Sequence, residues 1–338
     1  MIKNIKLIDS KFSIANKVGM LTFCRNDIRN ALTGSCIIND IINTVEYINK
    51  NNTVSVLIIT GEGKAFSSGG NIKEMLKNLK LIDSKFNLVN KVGILTFCRN
   101  DIRNALTGSC IINDIINTVE YINKNNTVSL LIITGEGKAF SSGGNIKEML
   151  KKNTSFSGPV EEVEKKYRYG IQQIPLYMEK IEIPTIAAIN GPAVGAGFDL
   201  ACMCDFRIMS NNAFLAESFI DLGIIPGDGG AFFLQRLVGY QKAAELTLTG
   251  RKVSASEALE LGLILKKVDP KQLLQEAKKF ANVIAKKPKN TIRYTKRLLK
   301  MGAKLPLKEF LDFCALLQGI SHNHKEHKNA LKNIKRKK

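Results

Sequence analysis

The residues best placed to do chemistry lie at 190–205, Asn-Gly-Pro-Ala-Val-Gly-Ala-Gly-Phe-Asp-Leu-Ala-Cys-Met-Cys-Asp. An apolar, β-branched run, Thr185 to Ile189, precedes them and another apolar run comes after. The stretch therefore reads as a buried strand, a glycine turn and the first turns of a buried helix. Glycines let the backbone approach a ligand closely, and the unpaired N–H groups of a helix start point at whatever sits there. Such a place holds negative charge. A second stretch of the same kind lies upstream at 130–149, Leu-Leu-Ile-Ile-Thr-Gly-Glu-Gly-Lys-Ala-Phe-Ser-Ser-Gly-Gly-Asn-Ile-Lys-Glu-Met. Two such starts converging on one carbonyl oxygen make an oxyanion hole of two backbone N–H groups, able to stabilise an enolate or a tetrahedral oxyanion.

The two motifs, in this order, carry a resemblance. G-x-x-K-A-F-S-S-G-G-N-I-K-E-M followed by N-G-P-A-V-G-A-G-F-D-L-A-x-x-C-D resembles the enoyl-CoA hydratase/isomerase (crotonase) family. The resemblance implies an α/β fold, a ββα-superhelix core with a C-terminal helical region through which subunits form trimers and hexamers. It also implies an acyl-CoA thioester as substrate, with coenzyme A as part of that substrate and no separate cofactor. The thioester carbonyl would accept from one N–H in each motif. The first falls on Gly144, which precedes Asn145 where the family usually has Asp; the second falls on Ala196, where glycine is common. Lys138, Ala139 and Phe140 match a strip that lies along the CoA adenine and pantetheine in the family, and Gly143, Gly195 and Phe219 are counted with the substrate-binding residues.

Enolate chemistry needs a proton mover beside the carbonyl. Asp199 lies three residues after Ala196, and at about 100° per residue it returns to roughly the same helix face. It matches the position of the first catalytic glutamate of the family's hydratases, and could equally serve only the helix dipole. The second glutamate is replaced by Phe219, which argues against plain hydration, since water activation and protonation at the α-carbon are usually shared by two carboxylates. Glu217, Asp221 and Asp228 are the nearby substitutes. Asp228 sits in a glycine loop, close to where some family members place a catalytic aspartate, or it caps the following helix. Glu217 and Asp221 read as solvated or loop residues.

These residues need elements to hold them. Lys91 to Cys98 reads as an amphipathic strand, Cys110 to Lys124 as a helix, and a strand ends at Thr134. Pro159 to about Glu182 reads as helical, interrupted at Pro175. Phe206 to Ser210 is a short strand and Ala213 to Ser218 another piece, and the glycine loop 223–230 opens a helix. From Gln241 the chain reads almost wholly helical, with a capping box at Ser254 to Glu257 and a helix starting at Pro270.

Residues 4–77 and 78–151 match at an offset of 74 and differ at only six positions, Ile5/Leu79, Ser13/Asn87, Ile14/Leu88, Ala15/Val89, Met20/Ile94 and Val56/Leu130. Such near-identity is unlike a solenoid; it points to a recent tandem duplication or a sequence-assembly fault. One copy alone leaves its apolar face exposed. The expected organisation is a duplicated partial segment, 1–77, a core carrying the site, 78–265, and a C-terminal helical region, 266–338. The second copy is expected to complete the core; seating the first instead would move the first donor from Gly144 to Gly70.

The chain has 338 residues and a net charge of +20, compatible with nucleic acid, with a polyanion such as coenzyme A, or with a solvated lysine-rich surface. No basic-aromatic RNA module is visible. Seven cysteines without metal-ligand spacing read as reduced thiols, and no apolar run reaches 18 residues, so a cytoplasmic protein without a membrane span is expected. His322, His324 and His327 place at best the last two on one helix face, a surface feature rather than a metal site. Two function classes fit these residues: an acyl-CoA enzyme with Gly144 and Ala196 as donors and Asp199 as acid/base, Asp228 being a further catalytic candidate, or a CoA- or RNA-binding protein on the same fold.

Overall fold

The computed structural model describes residues 5–32, 35–51, 54–67, 79–125, 127–151 and 156–335. They fall into two compact units, Met1–Leu79 and Lys80–Lys338.

The first unit holds β1 (Ser10–Ala15), β2 (Val18–Phe23), α1 (Ile37–Asn51) and β3 (Val56–Gly61). The strands pair in that order, β1 with β2 antiparallel and β2 with β3 parallel. Its core is small, built on Leu21, Phe23 and Ile37. Gly70, the alternative donor, lies outside the described residues.

The second unit repeats that start as β4 (Ser84–Val89), β5 (Val92–Phe97), α2 (Ile111–Lys124) and β6 (Leu130–Gly135), and then completes it. Next come α3 (Ile146–Met149), α4 (Val160–Tyr169), α5 (Gln173–Lys180), β7 (Thr185–Ile189), β8 (Ala193–Val194), α6 (Ala196–Met203), β9 (Phe206–Ser210) and β10 (Phe214–Ala216). The chain ends with α7 (Gly230–Val238), α8 (Tyr240–Thr249), β11 (Lys252–Ser254), α9 (Ala255–Glu260), β12 (Lys266–Val268) and the helices α10 (Leu273–Ala285), α11 (Lys289–Gly302), α12 (Leu307–Asn323) and α13 (Lys325–Lys335). Six strands form the main sheet in the order β12-β9-β7-β6-β5-β4, parallel except at the β4–β5 hairpin, and β11-β10-β8 form a small second sheet. The central strands Leu-Leu-Ile-Ile-Thr-Gly and Thr-Ile-Ala-Ala-Ile are apolar throughout because both faces are covered. On one face Leu95, Phe97, Ile133 and Ala187 join the larger core with Ile115 and Val119 of α2. On the other, Ile94, Leu130, Ile132 and Ile186 lie under α10, whose Leu273, Ala277, Ala281 and Ala285 recur every four residues and let the helix approach closely.

Identical local sequence gives identical local structure in both units. Asp40 accepts from the N–H groups of Ile8 and Asp9, as Asp114 does from those of Ile82 and Asp83. The packing differs. Ile58 is 43% exposed where its counterpart Ile132 is 0%, and Val45 is 41% exposed where Val119 is 1%.

Three expectations are corrected. The helical stretch after Pro159 breaks at Gly170, between α4 and α5, and Pro175 instead sits in the first turn of α5, where a missing N–H breaks no helical bond. The region after Gln241 includes two strands, β11 and β12, and β12 closes one edge of the main sheet. Helix α12 ends at Asn323, so His324 leaves the helical path and it is His322 and His327 that meet, Nδ1 to Nε2 at 3.3 Å. The capping box at Ser254 forms, its hydroxyl accepting from the Glu257 N–H at 3.2 Å.

Candidate active site

Both glycine motifs leave adjacent parallel strands at the same end of the sheet, β6 and β7, and their backbones then zip together. Ser141 bridges Ala193, the Val194 N–H donates to the Ser141 carbonyl at 3.0 Å, and the Phe140 N–H donates to that of Pro192 at 3.1 Å. Close approach dictates glycine here. A Cβ on Gly197 would lie 2.3 Å from the Ser141 oxygen, and one on Gly143, at φ +73°, would lie 2.4 Å from the Val194 oxygen. Gly195 turns the chain at φ +52° into α6. Asn145 caps the single turn of α3, its side chain accepting from the Lys147 N–H at 3.1 Å, and its own N–H donates to the Thr107 hydroxyl at 2.8 Å.

The backbone N–H groups of Gly144 and Ala196 have no acceptor among the described residues. Both residues line a cavity of about 220 Å³, together with Gly195, Phe219 and Asp228. The rest of its wall is mainly apolar, with Leu106, Ile112, Met149 and Ile171 prominent. Lys138, Ala139, Phe140 and Gly143 are not among the lining residues. Lys138 is exposed, Ala139 is buried, and Phe140 is buried in the core against Phe97.

Behind the cavity three carboxyl groups meet. Asp199 on α6, Glu217 just after β10 and Asp228 in the glycine loop are all buried, and Asp199 lies within reach of both of the others. Both oxygens of Asp199, both of Glu217 and one of Asp228 meet no donor among the described residues. Carboxyls bond to one another only through a shared proton, and the shifts agree. Burial first, then the charges of Asp228 and Glu217, raises Asp199 well above the usual carboxylate range. Burial first, then the charge of Asp228, pushes Glu217 up to about 7, and burial raises Asp228. Gly230 leaves room for this cluster, because a Cβ there would fall 2.2 Å from Asp199 Oδ1.

Only Asp228 of the three lines the cavity; Asp199 and Glu217 stand behind it. Glu217 is thus not the solvated residue its surroundings suggested. It follows Phe214–Ala216, a strand with core on both sides, and two-sided burial carries no alternation that could have marked it. Asp228 is not the cap of α7, whose N-cap is Gly229 at φ +110°. Asp221 is exposed, as expected. Where a second catalytic acid was sought, the Phe219 ring lies against the Gly195 turn, 3.4 Å from where a Cβ on that glycine would be.

A two-motif backbone pocket over a twisted parallel sheet, backed by buried carboxyls, defines an enzyme of the hydratase/isomerase type. The model of the enoyl-CoA hydratase/isomerase family matches residues 13–91 and again 87–338, and the chain belongs to that family. It is 33% identical over 248 residues to a short-chain-enoyl-CoA hydratase of Clostridium acetobutylicum, covering 71% of this chain and 90% of that one. It is 38% identical over 215 residues to a crotonyl-CoA hydratase of Syntrophomonas wolfei, covering 63% and 79%. In structure it is similar to an enoyl-CoA hydratase from Bacillus anthracis, with a TM-score of 0.70 and 30% identity over 76% of this chain and 97% of that one. No helix among the described residues is long and apolar enough to cross a membrane.

Proposed function

We propose that the cavity takes the acyl end of an acyl-CoA thioester and that the enzyme shifts a proton on it through an enolate. What carries this reading is the convergence on one cavity of two N–H groups without acceptors, Gly144 and Ala196, and one carboxyl, Asp228. The thioester carbonyl accepts from both N–H groups. The Asp228 carboxylate removes a proton from the carbon next to it, the electron pair moves onto the carbonyl oxygen, and the two donors stabilise the charge that develops. In a β,γ-unsaturated acyl chain the enolate extends over that double bond, and returning the proton to the γ-carbon leaves the double bond between the α- and β-carbons. With phenylalanine at position 219, Asp228 is the one carboxyl among the described residues that line the cavity, which favours the double-bond shift over hydration. Coenzyme A enters as part of the substrate, and no other cofactor is needed for these steps. Leu307 and Leu311 are exposed on one side of α12 and Leu316 and Ile320 on the opposite side, apolar surface that supports a homo-oligomer, trimer or hexamer.

Hydrogen exchange at the α-carbon of butyryl-CoA in heavy water, followed by mass spectrometry, tests this without presupposing the product. Exchange by the wild type that Asp228→Asn lowers at least a hundredfold is expected. Binding without exchange at any pH would leave a CoA-binding protein in its place.

A further inference from the structure

Glu217 and Asp199 are the members of the carboxyl cluster that the proposed chemistry leaves without a task, and Glu217 is the one that adjoins the cavity wall. It follows Ala216, whose carbonyl accepts from the Gly195 N–H at 2.8 Å, and it precedes Ser218 and Phe219, both of which line the cavity. The residue is 1% exposed, and neither carboxyl oxygen meets a donor among the described residues. The titratable groups around it are Asp199 and Cys202 on α6 and Asp228 before α7. Arg207, the cation whose charge reaches Cys202, is committed to the carbonyls of Leu263, Ala201 and Cys204. An acceptor-only group buried beside two others of its kind is tolerated only when protons bridge them.

We propose that Glu217 is a positioning residue of this site: it bridges to Asp199 through a shared proton and so orients the carboxyl against which Asp228, the group at the cavity, works. The inference rests on the reading of Asp228 as the group that moves the substrate proton. Replacing Glu217 by a neutral amide removes one of the charges that oppose ionisation in the cluster and supplies Asp199 with a donor. With that charge gone and the Asp199 proton left to Asp228 alone, Asp228 ionises at lower pH.

The test uses the full chain, as wild type and as Glu217→Gln, in two measurements. Exchange on butyryl-CoA across a pH series is expected to half-saturate within about twofold of the wild type, while the acid limb of its rate moves about one pH unit lower. Urea unfolding without substrate across the same series is expected to show a wild type that loses stability as pH rises and a Glu217→Gln variant in which that loss is reduced. A variant that loses rate and affinity together with its acid limb unmoved would have only a structural residue at 217, and the proposal would fall. An unchanged stability slope would overturn the shared proton. A wild type that never exchanges would overturn the role of Asp228, and the unfolding series would still decide whether Glu217 and Asp199 share a proton.

Discussion

Three carboxyl groups facing one another with no cation among them cannot all be ionised at neutral pH. At the residue scale this makes the cluster both a proton carrier and a liability. Glu217, pushed up to about 7 by burial and by Asp228, holds its proton in the folded protein at pH values where the unfolded chain has released it. Its contribution is therefore fully present below its ordinary value of 4.5 and is lost as pH rises through about 7. The loss attributable to Glu217 is on the order of 3 kcal/mol. Urea midpoints at pH 5 and pH 8 should show it, and Asp199→Asn, which takes a charge out of the cluster, should shrink the difference. Equal shrinkage from a carboxyl outside the cluster, such as Asp221→Asn, would show that the cluster is not its source. A second residue-scale expectation concerns Phe219. It lines the cavity, where hydration calls for a second carboxyl beside Asp228, so Phe219→Glu should raise hydration of crotonyl-CoA above the wild-type rate, read by loss of the enoyl absorbance. No gain, in a variant that still binds the thioester, would mean that Phe219 does not set the reaction.

At the scale of elements, the site depends on how tightly α6 is pressed against the loop after β6. Gly197 lies in a helix with ordinary torsions, so alanine there would by propensity alone favour the helix. Its Cβ would nonetheless fall 2.3 Å from the backbone oxygen of Ser141, which cannot swing aside as a side chain can. Gly197→Ala should destabilise the protein by about 1–3 kcal/mol and separate the two donor-bearing loops; a variant as stable as the wild type would show that the contact yields easily. These elements were legible in the sequence for a physical reason. Thr185 to Ile189 is apolar on both faces, and the glycines after it answer to distances fixed within the motif pair. Glu217 was not legible, because its burial is decided by Asp199 and Asp228, each brought to it by a different turn of the chain. Strand β12 was missed likewise: Lys-Lys-Val has no strand pattern of its own and is recruited by the edge of β9. The break after Asn323 that brings His322 to His327 also lay beyond any reading at uniform helical spacing.

At the scale of the whole molecule, the duplicated segment separates the specification of elements from their burial. Two segments that differ at six of 74 positions form the same strands and helix, yet in the second unit they continue into a six-stranded sheet covered by that unit's own later elements. In the second unit β6 pairs with β7 and packs under α10; in the first, β3 is the last strand of its sheet. Local sequence is thus enough to specify the elements, and burial is supplied only by residues further along. The same substitution made in the two copies should therefore have two effects. Ile132→Asp places an unpaired charge in a site that is 0% exposed and should destabilise the protein by about 4 kcal/mol or more, whereas Ile58→Asp, at a position 43% exposed, should change stability by less than about 1 kcal/mol. Urea unfolding of the two single variants, with hydrogen exchange on the peptides that Val56 and Leu130 distinguish by mass, measures both. Equal effects would mean that the sheet of the first unit is covered in solution as fully as that of the second. A folded Ile132→Asp variant whose protection has moved from Leu130–Gly135 to Val56–Gly61 would mean that the first copy can take the place of the second, and that the duplicated segment is a replacement part rather than an appendage.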